Sequence, residues 1–266
     1  MHIHYLDPYR ERSSLVHRLD PRVKLLLAVG FIVATALTPP GAWPVYMLLF
    51  ALLLAVEILS ELGVGYVIKR SALALPFVLA AVPILFTVPG EPLIEFQVGP
   101  WSPSISAAGL ERFISIAFKS WLSVQMAIVL AGSTPFPDLL SAMRAVHVPK
   151  LLVAVIGLMW RYLFVLADEA MRLMRARDAR SGHPADAPYR TGGSIAWRAH
   201  VTGGMAGNLF MRSYDRGERI YAAMAARGYD GEIRTLGMLP VARPQKALLV
   251  IGVLILALLV FLSYLL

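Results

Sequence analysis

The chain has 266 residues and no cysteine; 58% of it is apolar, only 16% is charged, the formal net charge is +8 and the mean hydropathy is +0.64. The apolar excess excludes a disordered chain and points to a bilayer rather than to a water-soluble globule. The missing cysteines exclude disulfide frameworks, thiolate metal sites and cysteine nucleophiles, and in so apolar a chain the positive charge reads as basic cytoplasmic loops, not as a nucleic-acid footprint.

The first 24 residues carry Arg10, Arg12, Arg18, Arg22 and Lys24 beside Asp7, Glu11 and Asp20, with no apolar core before a small-residue cleavage site. A cleavable signal is therefore not expected. About five stretches follow that are apolar enough to cross a hydrocarbon layer as helices. They lie at about Val23–Leu37, Trp43–Leu59, Ala72–Val88 (with Pro76 and Pro83 inside), Arg112–Ala131 and Lys246–Leu266. A further run, Leu151–Leu166, is apolar but contains Arg161 and continues unbroken into Asp168-Glu169-Ala170. It reads as the first half of one long helix, Lys150–Ser181, buried in protein or at the interface.

The loop charges orient these spans. Basic residues precede span one, Lys69 and Arg70 lie between spans two and three, and sixteen basic residues fall between Arg144 and Lys246. Loops on the other side carry none, so the N-terminus is expected inside and the C-terminus outside. The expected fold is an all-α integral membrane protein with a cytoplasmic block of two long crossed helices and a short one. Residues 1–134 hold the tail and four spans, 135–244 the cytoplasmic block, and 245–266 the last span. Within the block, about Pro137–Val146 is the short helix. Gly182–Ser194 is a linker, and about Ile195–Arg227 is the second long helix. Met205, Leu209, Ile220 and Met224 share one of its faces. Gly203 and Gly207, four apart, offer a close helix crossing.

Two helix ends repeat one pattern. The first ends Ala179-Arg180-Ser181, the second Ala226-Arg227-Gly228. Glycine after a helix and arginine in its last turn are ordinary C-terminal features. The same features let two rigid helices each present one guanidinium, which pairs bidentately with a carboxylate. Ala176-Arg177-Asp178 is the weaker candidate, because the adjacent Asp would repel an acidic groove.

These ends resemble the signatures of the transmembrane T components of energy-coupling factor transporters, the EcfT/CbiQ family. Leu19-Asp20-Pro21-Arg22-Val23-Lys24, Thr134-Pro135-Phe136-Pro137-Asp138, Val148-Pro149 and Arg212-Ser213-Tyr214-Asp215-Arg216-Gly217-Glu218-Arg219 extend the resemblance along nearly the whole chain, most like the cobalt-type CbiQ branch. Ser181 departs from the glycine usual there. The resemblance implies a non-catalytic subunit between two cytoplasmic ABC ATPases and a substrate-binding membrane subunit (CbiM-like), with a small accessory subunit (CbiN-like) as a further partner. Arg180 and Arg227 would each insert into one ATPase. The chain has no G-x-x-x-x-G-K-[ST] loop, so ATP and Mg would be held by the ATPases and no cofactor or metal by this chain. His2 and His4 read as part of a polar tail. A vitamin-type importer, a membrane scaffold and an integral-membrane enzyme are the alternatives; the last lacks an acidic metal-binding cluster. Lys119 inside span four is an intramembrane charge near enough to its end to snorkel. Arg161 is expected to pair with Asp168 or Glu169, and Glu57 and Glu61 to form a solvated helix end.

Overall fold

The computed structural model describes residues 8–90, 92–95, 104–180, 194–231 and 240–265. Its helices are α1 (Pro21–Leu37), α2 (Trp43–Ser60), α3 (Val64–Ser71), α4 (Leu75–Ala81), α5 (Ile84–Thr87), α6 (Ala107–Ser133), α7 (Phe136–Ala145), α8 (Lys150–Arg180), α9 (Ile195–Ala226) and α10 (Arg243–Ser263). A small antiparallel pair, β1 (Pro92–Glu95) with β2 (Ser104–Ser106), precedes α6 and is the one addition to the all-helical expectation among the described residues. The chain forms two compact units, His4–Val146 with Met238–Leu266, and His147–Gly237. The sequence-based divisions stood at 134/135 and 244/245; α7 packs on α1 within the first unit.

The first unit is a multi-pass membrane bundle. Its core gathers Phe31, Val45, Leu49, Leu53, Leu122 and Met126, all buried, from α1, α2 and α6. The opposite faces stay bare: Val250, Ile251, Leu254, Leu258 and Phe261 of α10 are each more than half exposed, as lipid-facing residues are. The third span starts earlier than predicted, at Val64. A 3-10 turn at Ala72–Ala74 and a turn before α5 break it, because Pro76 and Pro83 cannot donate to the carbonyls behind them.

The N-terminal motif has a structural role. Asp20 accepts from the Arg22 amide and caps α1, with Pro21 in the first turn. Buried Lys24 donates to the Ser133 carbonyl at 2.8 Å, and the Arg10 amide donates to the Gly132 carbonyl at 3.0 Å. Both satisfy the open carbonyls that end α6. His17 fastens the same segment. Its Nε2 donates to the Arg10 carbonyl at 3.0 Å, since that carbonyl can only accept, and its Nδ1 pairs with Ser14 Oγ at 2.7 Å. Burial pushes the imidazole below its ordinary range, against the opposing pull of that carbonyl. A base depressed on folding contributes stability above its unfolded value of 6.5 that is lost as pH falls through it. The wild type should therefore lose more of its melting temperature than His17→Gln between about pH 7.5 and about pH 5.5; equal losses would refute this.

At the other end of α1 the carbonyls find polar side chains. Lys119 donates to the Ala36 carbonyl at 3.3 Å, Tyr264 to that of Leu37 at 3.1 Å, and Thr38 to that of Ala34 at 2.9 Å. Three of the last four carbonyls of this 17-residue helix, about 25 Å long, thereby find donors. The same contacts give Lys119 a place, as a cation at a helix C-terminus.

Helix directions follow from these contacts. Lys24 meets Ser133 while Ala36 meets Lys119, so α6 runs antiparallel to α1. Leu27 lies at Gly252, Gly30 at Leu256 and Leu37 at Tyr264, so α10 runs parallel to α1. The chain therefore leaves α6 and re-enters α10 on the same face. Five helical segments are long and apolar enough to cross, α8 among them and α1 not. The α3–α5 run, α2, α6, α8 and α10 are these five, and α1, at 17 residues, is one residue shorter than the shortest of them.

Close approach of α1 and α10 depends on Gly252, where a Cβ would stand 2.6 Å from Leu27 Cδ2. Gly252→Leu should wedge the pair apart and cost about 1–3 kcal/mol, read as a lower melting temperature in detergent. Gly207→Leu, on a surface with nothing within 4 Å of the added Cβ, should leave it unchanged.

Candidate functional site

The second unit is built from α8 and α9. A stripe on α9, formed by Val201, Met205, Leu209, Ser213, Arg216, Ile220 and Met224, is less exposed than the rest of the helix, as spacings of three and four residues require. The C-terminal half of this stripe faces α8 across a groove of about 400 Å³, with Leu158 and Tyr162 on one wall and Ile220 and Met224 on the other. Arg212 of α9 pairs with Glu169 of α8 at 2.6 Å. The predicted pairing of Arg161 with Asp168 or Glu169 is thereby corrected. Two turns separate them, whereas helix pairs meet at three or four residues, and Glu169 is engaged by α9. Gly203 and Gly207 sit before this contact, and a Cβ on either would meet open space.

Arg180 is the last described residue of α8, preceded by Ala179. Its side chain is exposed and makes no hydrogen bond or ion pair among the described residues. Ser181 lies outside the described residues, as do His2 and His4. One turn earlier Arg177 differs: its guanidinium holds Asp178 at 3.1 Å.

At the end of α9 the backbone closes in a Schellman motif. The Tyr229 amide donates to the Met224 carbonyl at 3.0 Å and the Gly228 amide to that of Ala225 at 2.9 Å. Gly228 has φ of +79°, in the left-handed region that costs other residues more. The motif ends the helix at Ala226 and leaves Arg227, the capping residue, exposed and without a side-chain partner among the described residues. Among the described residues, Arg180 and Arg227 therefore each present an unpaired guanidinium on a long helix. The ordinary role of a C-terminal glycine and the presentation of Arg227 are met by the same turn.

A family model for CbiQ, cobalt transport protein, matches residues 12–236. The chain belongs to the CbiQ family. It is 28% identical over 241 residues to the cobalt transport protein CbiQ of Rhodobacter capsulatus, covering 87% of this chain and 91% of that one. It is 27% identical over 236 residues to a putative fused cobalt transport protein CbiMQ of Methanocorpusculum labreanum, covering 86% of this chain and 37% of that one. It is also 28% identical over 268 residues to the energy-coupling factor transporter transmembrane protein EcfT of Lactococcus lactis, covering 96% and 95%. The matched stretch contains both arginine ends, the capped start of α1 and the α8–α9 contact.

Proposed function

We propose that the chain is the transmembrane coupling subunit, the T component, of an ATP-driven importer for cobalt or nickel ions. It binds two ATPases through Arg180 and Arg227 and one substrate-binding membrane subunit of the CbiM type, with a small CbiN-type subunit as a further partner. The observation that carries this reading is the pair of exposed guanidiniums, without partners among the described residues, at the last described turns of the two longest helices in a chain of the CbiQ family. A guanidinium seated between carboxylates in a groove gains two parallel charge-assisted bonds. Each helix behind it is a stiff lever of more than 40 Å, tied to the other by the Glu169–Arg212 pair. Approach of the ATPases on binding ATP would thus change the angle between α8 and α9. The α6 end and the α10 start lie on the cytoplasmic face, with the N-terminus inside and the C-terminus outside.

The fusion of a CbiM and a CbiQ in one named relative supports a CbiM-type neighbour. ATP and Mg are held by the ATPases, and the metal ion by the substrate-binding subunit, so this chain performs no chemistry. The test is reconstitution in vesicles with the ATPase and CbiM-type subunits. Uptake of cobalt that requires all three, and that ceases without this chain, supports the reading. Uptake independent of this chain, or an association with ATPases that never yields transport, would overturn it and favour a scaffold.

A further inference from the structure

The membrane unit contains a carboxyl group that the coupling role does not use. Glu57 lies one turn before the end of α2 and is 1% exposed, so the predicted solvated end is corrected: Glu61 is exposed, but Glu57 turns onto α6. With the Gln125 amide oriented by its partners, its nitrogen donates to Glu57 Oε1 at 2.9 Å and its oxygen accepts from Trp121 Nε1 at 3.1 Å. The indole N–H is shared with Ser71 Oγ of α3, at 2.9 Å. A hydrogen-bonded chain thus joins α2, α6 and α3, and the carboxyl is at its head.

The second oxygen, Oε2, is buried and has no hydrogen-bond partner among the described residues. The elements packed on α2 carry Tyr66, Lys69 and Arg70 on α3, Glu111, Arg112 and Lys119 on α6, and Arg243 and Lys246 on α10. None of them bonds to or pairs with Glu57. Lys119 is engaged by the Ala36 carbonyl and Arg70 lies over the Tyr66 ring.

A carboxylate here would be an uncompensated charge removed from water, at a cost of several kcal/mol. Ionisable groups kept at such a cost inside a membrane are functional by default. The ligand that removes the charge must be small. A metal cation requires a shell of oxygen ligands, and among the described residues Oε2 has no hydrogen-bond partner and no group of three or more His, Asp or Glu side chains could hold a metal. A proton requires none, and leaves only one hydroxyl to satisfy.

We propose that Glu57 is a proton-binding site whose proton is held by the packing of α2, α3 and α6. While these helices are closed the group is a neutral acid. Movement that admits water between α2 and α6 breaks the O–H bond, passes the proton to water and leaves a hydrated carboxylate. One proton is thereby tied to the packing state of the membrane unit. This holds whether or not Arg180 and Arg227 engage ATPases.

The test is infrared difference spectroscopy on the full chain in lipid nanodiscs at about pH 7, wild type against Glu57→Gln. The expected result is a carbonyl stretch of a neutral carboxylic acid in the wild type that the variant loses. A difference showing only carboxylate stretches would overturn the proposal. If Glu57→Gln does not fold, Gln125→Leu serves instead. The neutral-acid band should persist at a shifted frequency, because Oε1 has lost its amide donor; an unshifted or absent band would count against the site.

Discussion

Arg180→Glu combined with Arg227→Glu abolishes co-purification of the ATPases while the chain still inserts into the membrane at the wild-type level. Both guanidiniums are exposed and bonded to nothing among the described residues, so the fold loses no contact when they are reversed. At an interface the loss is large. Close charge pairs contribute roughly 1.5–7 kcal/mol, and a lone buried carboxylate left behind adds to the penalty. Each single reversal should therefore weaken association by at least about tenfold, and the double should remove it. Arg177→Glu is the internal control. Its guanidinium already holds Asp178, so its reversal should weaken association far less than that of Arg180. The measurement is affinity capture from detergent-solubilised membranes with the ATPases co-expressed, alongside the chain's content in the membrane fraction. Undiminished capture with the double variant would end the case for arginine-mediated docking.

What could be read from the sequence was whatever is encoded locally. The end of α9 was legible because a glycine after a run of helix formers can take positive φ, and Gly228 does. The start of α1 was legible because Asp before Pro is a capping pattern, and Asp20 caps. The apolar spans announced themselves by length, except that the third begins at Val64, where Lys69 and Arg70 obscured the pattern.

Leu151–Leu166 could not be resolved by hydropathy, since α8 is as apolar as a true span. The parallel course of α1 and α10 is equally hidden from it, since it is fixed by contacts between residues more than two hundred apart in sequence, such as Tyr264 with Leu37. The burial of Glu57 is hidden for the same reason. A pair of glutamates four apart says which face they share but not what packs on it, and Gln125 lies on another helix. Gly252 gave no signal either. A lone glycine in an apolar run is unremarkable until Leu27 is found against it, whereas Gly203 and Gly207 have the spacing of a crossing but nothing within 4 Å of an added Cβ among the described residues.

Lys24 should be the residue of the membrane bundle least able to bear a reversed charge. It sits where α1, α6 and α7 meet, 7% exposed, with its ammonium on the Ser133 carbonyl at 2.8 Å. The open carbonyls of α6 set the negative end of a helix dipole against that ammonium. Lys24→Met removes the donor and keeps the volume. One carbonyl loses its partner, for a loss of about 1–3 kcal/mol. Lys24→Glu does that and also places a buried carboxylate against the carbonyls of a helix C-terminus. Breaking a buried charge arrangement in this way costs roughly 3–5 kcal/mol, comparable to the whole margin of a typical small domain. The expected outcome is a graded series in size-exclusion chromatography of detergent extracts. The wild type elutes as a single peak, Lys24→Met is folded with a lower melting temperature, and Lys24→Glu is recovered only as aggregate or not at all. A Lys24→Glu protein as stable as the wild type would mean that the ammonium does not hold the junction of α1, α6 and α7, and that the Arg10–Gly132 bond suffices to close the end of α6.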